Sequence, residues 1–114
     1  MLAEAELDPL PEWAGSTGDA RVEEAKGGGR DLVVTASGGA RAGGYREVWL
    51  ISRDLISRDL TALVSLGVLE GSTGTFVIPA GVGLADYPIV DVSQEPLDGN
   101  PAHSGDSILR GTVG

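Results

Sequence analysis

Few side chains in this sequence could carry chemistry. His103 is the one histidine among 114 residues, and cysteine is absent. A catalytic triad needs a nucleophile aimed at the imidazole and an acid behind it. Ser104 adjoins His103, but neighbouring side chains on an extended chain point to opposite sides. No Gly-x-Ser-x-Gly turn presents a serine elsewhere. Asp98, His103 and Asp106 share one polar stretch and have the donor types of a zinc site. No helix is expected there to fix their spacing, and the regular oxygen ligands of a calcium loop are missing. Asp98-Gly99 reads instead as a turn, with Pro101 stiffening the chain. Glu47 and Glu95 could act as a glycosidase pair only if brought together. Nothing in the sequence pairs them, and structural roles at strand edges are expected. The glycines at 27–29 and 38–44 match neither Gly-x-x-x-x-Gly-Lys nor Gly-x-Gly-x-x-Gly, so a phosphate cradle is not expected. The chain is therefore expected to have no catalytic residue, cofactor or metal, and not to be an enzyme.

Charge narrows the partners. Eight Lys and Arg face 17 Asp and Glu, a net charge of −9. Such a surface repels duplex nucleic acid and anionic membranes. Without cysteine there is no disulfide or thiolate chemistry. No apolar run approaches the roughly 20 residues of a spanning helix. Met1–Glu6 lacks the basic and apolar regions of a signal peptide, and a soluble chain is expected.

The elements that would position any site are short strands. The 18 Gly and 6 Pro imply many turns. Residues 1–18, with Pro9 and Pro11, read as a leading, juxtamembrane-like segment; Leu7, Leu10 and Trp13 could pack onto the domain, and Trp13 either caps it or is exposed for a partner. Strands are expected at Ala20–Ala25, Arg30–Ala36, Tyr45–Ile51, Ala62–Leu69, Thr75–Ile78, Ile89–Gln94 and Ser107–Val113. Val48-Trp49-Leu50-Ile51 is apolar on both faces, as in a central strand, with Trp49 expected in the core. In Ala62–Leu69, Val64, Leu66 and Val68 form one face. Gly83–Tyr87 could make one helical turn. The pattern predicts an all-β fold: an antiparallel β-sandwich, Ig-like or Greek-key, of about seven short strands, forming one domain over 19–114.

One repeat stands out. Ile51-Ser52-Arg53-Asp54-Leu55 is followed at once by the identical Ile56-Ser57-Arg58-Asp59-Leu60. An odd insertion inside a strand would send every later side chain to the other face. The copy is therefore expected between the Tyr45 and Ala62 strands, as a longer loop, a helical turn, or a hinge for a strand-swapped homodimer through 51–60.

Several of these pieces together resemble a known family. Tyr45-Arg46-Glu47-Val48-Trp49-Leu50-Ile51 is similar to the Tyr-x-x-Trp-Leu strand of the C-terminal domain of RskA-type anti-sigma factors. Ser65–Leu69, Phe76–Pro79 and Val90–Pro96 follow in the family's order. Asp98–Gly105 resembles its Glu-Pro-x-x-Gly-x-Pro-x-x-(Ser/Thr)-Gly signature, which leads here into Ile108-Leu109-Arg110-Gly111. On this resemblance Tyr45, Trp49, Leu50, Glu95, Pro96, Gly99, Pro101, His103, Ser104 and Gly105 are motif residues of a structural kind. The resemblance implies the extracytoplasmic domain of a membrane-anchored regulator whose other part binds a sigma factor, released by regulated proteolysis. A site-1-type protease or a cell-envelope ligand would be its partner. The alternative is a free-standing extracellular ligand-binding module, for example for carbohydrate, which predicts an exposed aromatic or a polar groove on one sheet, with glycan binding lost on Trp13→Ala.

Overall fold

The computed structural model of the chain describes residues 3–37, 44–52, 63–96, 104 and 106–113. Among the described residues eight strands run in the order β1 (Ala3–Pro9), β2 (Gly18–Glu24), β3 (Arg30–Ala36), β4 (Gly44–Ile51), β5 (Leu63–Leu69), β6 (Thr73–Ile78), β7 (Ile89–Pro96) and β8 (Ser107–Thr112). All pairings are antiparallel, and the strands follow one another as β5-β4-β7-β8-β1-β2-β3-β6.

The all-β, antiparallel class is as the sequence predicts. The expected two-layer sandwich of about seven strands is instead one continuous eight-stranded sheet, curled nearly into a barrel. The additional strand is β1, within the stretch read as a leading segment. Ala3–Leu7 pair with β2, and Asp8 and Pro9 pair with β8. One strand thus passes from one neighbour to the other along its length, and the two halves of the sheet are joined through it. The outermost strands, β5 and β6, are linked by the turn at Glu70–Ser72, but among the described residues no ladder joins them.

Alternation explains the core. Ala5 and Leu7 of β1, Ala20 and Val22 of β2, Leu32, Val34 and Ala36 of β3, and Phe76 and Ile78 of β6 point inward and are buried. Val48, Leu50, Val90, Val92, Ile108 and Leu109 complete the same cluster from β4, β7 and β8. Burial of these aliphatic groups is the main stabilising term, since aromatic residues are only 4% of the chain.

Two bulges adjust the pleat. On β5 the register against β4 slips between Val48, paired with Gly67, and Trp49, paired with Ser65. The extra residue, Leu66, turns the strand over. Val64 and Leu66 pack on the core, but beyond the bulge Leu69 is buried and Val68 is exposed. The predicted single face of Val64, Leu66 and Val68 is therefore interrupted. On β8 a similar slip puts Ile108 and Leu109, consecutive in sequence, into the core together.

The expected helical turn at Gly83–Tyr87 is a hydrogen-bonded turn, closed by Tyr87 N donating to Gly83 O at 2.9 Å. Its Leu84 and Tyr87 pack against the core. β4 ends at Ile51, the first residue of the tandem repeat, and β5 begins at Leu63, so the second copy falls between these two strands in sequence. Residues 53–62 lie outside the described residues, as does the question of helix or strand exchange there.

Candidate functional site

The outer face of β4, β7 and β8 carries an unusual set of side chains. Val90 and Val92 point into the core, so Asp91, Ser93 and Glu95 must point outward. They are nevertheless buried, as are Glu47 and Trp49 on β4 and Ser107 on β8. Pairing sets them in rows: Glu95 opposite Tyr45, Ser93 opposite Glu47 and Ser107, and Asp91 opposite Trp49 and Arg110.

Buried carboxylates need donors, and the rows supply them. Asp91, with 0% exposure, accepts from Ser107 Oγ at 2.7 Å and from Arg110 Nε at 2.9 Å. Arg110 Nη2 lies 2.8 Å from the same oxygen. Glu95, 1% exposed, accepts from Ser93 Oγ at 2.5 Å and from the Ser104 backbone N–H, 3.1 and 3.2 Å from its two oxygens. Ser93 Oγ in turn accepts from Trp49 Nε1 at 2.9 Å. Glu47 accepts from Ser65 Oγ at 2.6 Å. Glu47 and Glu95 thus share a face, but each has its own donors. Among the described residues no buried side-chain polar atom lacks a partner.

This is the pattern of a structural network. A hydrolytic pair requires one carboxyl kept protonated and open access for water or substrate. Here the carboxylates are closed off by serines and an arginine. Among the described residues no group of three or more His, Cys, Asp or Glu is placed to hold a metal.

A second charged group is buried at one end of the barrel. Arg46 alternates with Val48 and Leu50, so its side chain points inward. Its guanidinium donates to the carbonyl of Gly71 and, at 3.4 Å, to that of Ser37. Burial lowers its pKa, because the cation is poorly solvated there. Beside it, Thr17, Thr35, Ser37 and Ser72 line an open cavity of about 400 Å³. Thr17 bonds with its backbone N–H and its hydroxyl to Ser37 Oγ, at 2.8 and 3.0 Å.

The motif residues fall into three groups. Glu95 and Ser104 are brought into direct contact, and Trp49 joins them through Ser93. Tyr45 is half-buried opposite Glu95, Leu50 is in the core, and Pro96 ends β7 exposed. Gly99, Pro101, His103 and Gly105 lie outside the described residues, and so does Asp98. Trp49 is buried as expected, but on the face away from the central core.

Residues 2–107 match the family model of the anti-sigma-K factor RskA, C-terminal. The chain belongs to this family. The match takes in β1 to β7 and stops at Ser107, the first residue of β8. No curated protein and no solved structure matches the chain.

Sequence reasoning missed Asp91, Ser93, Ser107 and Arg110 as one unit of this RskA domain. A signal was present: Asp91-x-Ser93-x-Glu95 interleaves with Val90-x-Val92, a polar row at strand period behind an apolar one. Such a row ordinarily reads as solvated. Trp13 was also ambiguous in sequence. In the RskA fold it is buried, and its Nε1 donates to Asp106 Oδ1 at 2.8 Å. It is therefore no exposed platform for a sugar ring. Among the described residues no helix is long and apolar enough to cross a membrane.

Proposed function

We propose that this chain is the extracytoplasmic sensory domain of a membrane-anchored anti-sigma factor, controlling release of the sigma factor through regulated proteolysis. Membership of the RskA C-terminal family over residues 2–107 carries the reading. The sigma factor is held by another part of the whole regulator. This domain acts through its folded state: a protease requires a stretch of chain freed from its hydrogen-bonded partners, and a folded, laddered sheet withholds it. A site-1-type protease or a cell-envelope ligand is the partner that meets the domain. The buried carboxylates support this role as determinants of folding, because each is occupied by donors of the same domain.

The experiment uses the full-length regulator in cells. An alkaline phosphatase fused after residue 113 should be active, as expected outside the cytoplasm. A destabilising Arg110→Ala substitution should raise sigma-dependent transcription and the amount of cleaved regulator together. An inactive phosphatase fusion, or transcription unmoved by a domain shown to be destabilised, overturns the reading.

A further inference from the structure

The chain has two tryptophans, Trp13 and Trp49, and one run of hydrogen bonds connects them. Trp49 Nε1 donates to Ser93 Oγ, and Ser93 Oγ donates to Glu95, at 2.9 and 2.5 Å. Glu95 receives the Ser104 N–H at 3.1 Å. Ser104 Oγ donates to the Gln94 carbonyl at 2.7 Å and accepts the Asp106 N–H at 3.1 Å. Asp106 Oδ1 then receives Trp13 Nε1 at 2.8 Å. The run starts on β4, crosses β7, and ends in the 3-10 turn Pro11–Trp13 that follows β1.

The far end lies at a short ladder. Among the described residues β1 pairs with β8 through Asp8 and Pro9, with a further bond from Leu10 N to Ile108 O at 2.9 Å. Pro9 and Pro11 have no N–H to give. Side chains help to hold this junction, and the Trp13–Asp106 bond is a polar one among them. Asp106 is itself aimed by β7, through Gln94 N donating to Asp106 O at 2.9 Å, and by Ser104.

We propose that Glu95, Ser104, Asp106 and Trp13 form a latch that holds β1 in the sheet, so that drawing Ser104 away from Glu95 loosens the first strand. Glu95 and Ser104 are positioning residues here: they act on β1 through Asp106. The physical basis is a contiguous network with a buried carboxylate at one end. Losing Ser104 takes donors from a charge that has little access to water, so the two ends are strained together. The biological use of the latch, exposing chain to a protease, rests on the proposed function above, but the coupling itself does not.

The test is hydrogen exchange on the purified 114-residue chain, read strand by strand. Asp106→Ala should speed exchange of the Ala3–Leu7 amides by about tenfold, while amides of β3 and β6 stay at wild-type rates. Asp106→Asn, which keeps an acceptor for Trp13, should restore β1 to within about twofold of wild type. Glu95→Ala and Ser104→Ala do not touch Trp13, yet each should speed the same β1 amides. If Glu95→Ala and Ser104→Ala leave β1 at its wild-type rate, or if every strand speeds up equally, the latch is overturned. Should Ser104→Ala fail to fold, Glu95→Ala alone decides. A full-length regulator whose transcriptional output ignores these variants, with the exchange result intact, counts against the proposed function and not against the latch.

Discussion

Asp91 on β7 and Arg110 on β8 stand directly opposite each other, and the guanidinium puts both Nε and Nη2 within 2.9 Å of a single carboxylate oxygen. The carboxylate is wholly buried, while the Arg110 side chain remains 36% exposed. The pair is thus a surface-reaching cation neutralising an interior anion. Ser107 sits between them, donating to Asp91 at 2.7 Å and accepting from Arg110 at 3.1 Å.

Breaking this pair from the exposed side should be costly. Arg110→Ala leaves the Asp91 charge buried without its guanidinium, and should destabilise the fold by about 3 kcal/mol. Asp91→Asn, which removes the buried charge and keeps an acceptor, should cost less than Arg110→Ala. Urea denaturation of the two variants checks the order; equal losses would show that the charge is not the source.

The bulge on β5 predicts a second effect. Gly67 has φ of +143°, where side chains are disfavoured, and a Cβ there would lie 3.3 Å from the Phe76 ring. Gly67→Ala should lower stability by about 1–2 kcal/mol. A thermal melt at or above that of wild type would show that β5 can relax without the bulge.

Close approach of β1 and β8 gives a third. A Cβ on Gly111 would lie 2.3 Å from the Glu6 carbonyl oxygen, a backbone atom that cannot rotate away. Gly111→Ala should therefore cost more than about 2 kcal/mol. Because the strain falls on the junction of β1 and β8, near-complete loss of cooperative folding is the expected extreme. A variant that unfolds in urea at the wild-type midpoint would show that this approach is looser than described.

Surface charge gives a fourth, of opposite sign. Glu6 and Asp19 are direct cross-strand partners, and so are Glu23 and Asp31. Like charges facing each other destabilise a sheet. Asp19→Lys should stabilise by about 0.5 kcal/mol at low salt, and the gain should shrink as salt rises. Denaturation at two ionic strengths measures both; a gain that is independent of salt would assign the effect to something other than charge.

Much of the fold was legible because strand alternation is local. All seven expected strands are present within two residues of their predicted bounds. The motif Tyr45–Ile51 is a central strand, between β5 and β7. β1 was missed because Pro9 and Pro11 signal a break, whereas Ala5 and Leu7 alternate with Glu4, Glu6 and Asp8 just before it. Proline at the end of a strand costs the ladder little.

The sequence by itself determined composition, the polar and apolar rows, and the ordered motifs that mark an RskA C-terminal domain. Each depends only on neighbours along the chain. Tertiary structure alone decided that the sheet curls into one near-barrel instead of stacking as two layers, since that depends on which distant edges pair. It alone decided that Asp91, Ser93 and Glu95 are buried rather than solvated. Alternation says that these side chains lie on the face opposite Val90 and Val92, but whether that face meets water depends on what the rest of the chain brings to it. Arg110, Ser107 and Ser104, which donate to Asp91 and Glu95, come from β8 and the residues just before it, Trp49 donates to Ser93 from β4, and the pairing of β7 with both neighbours puts them within reach.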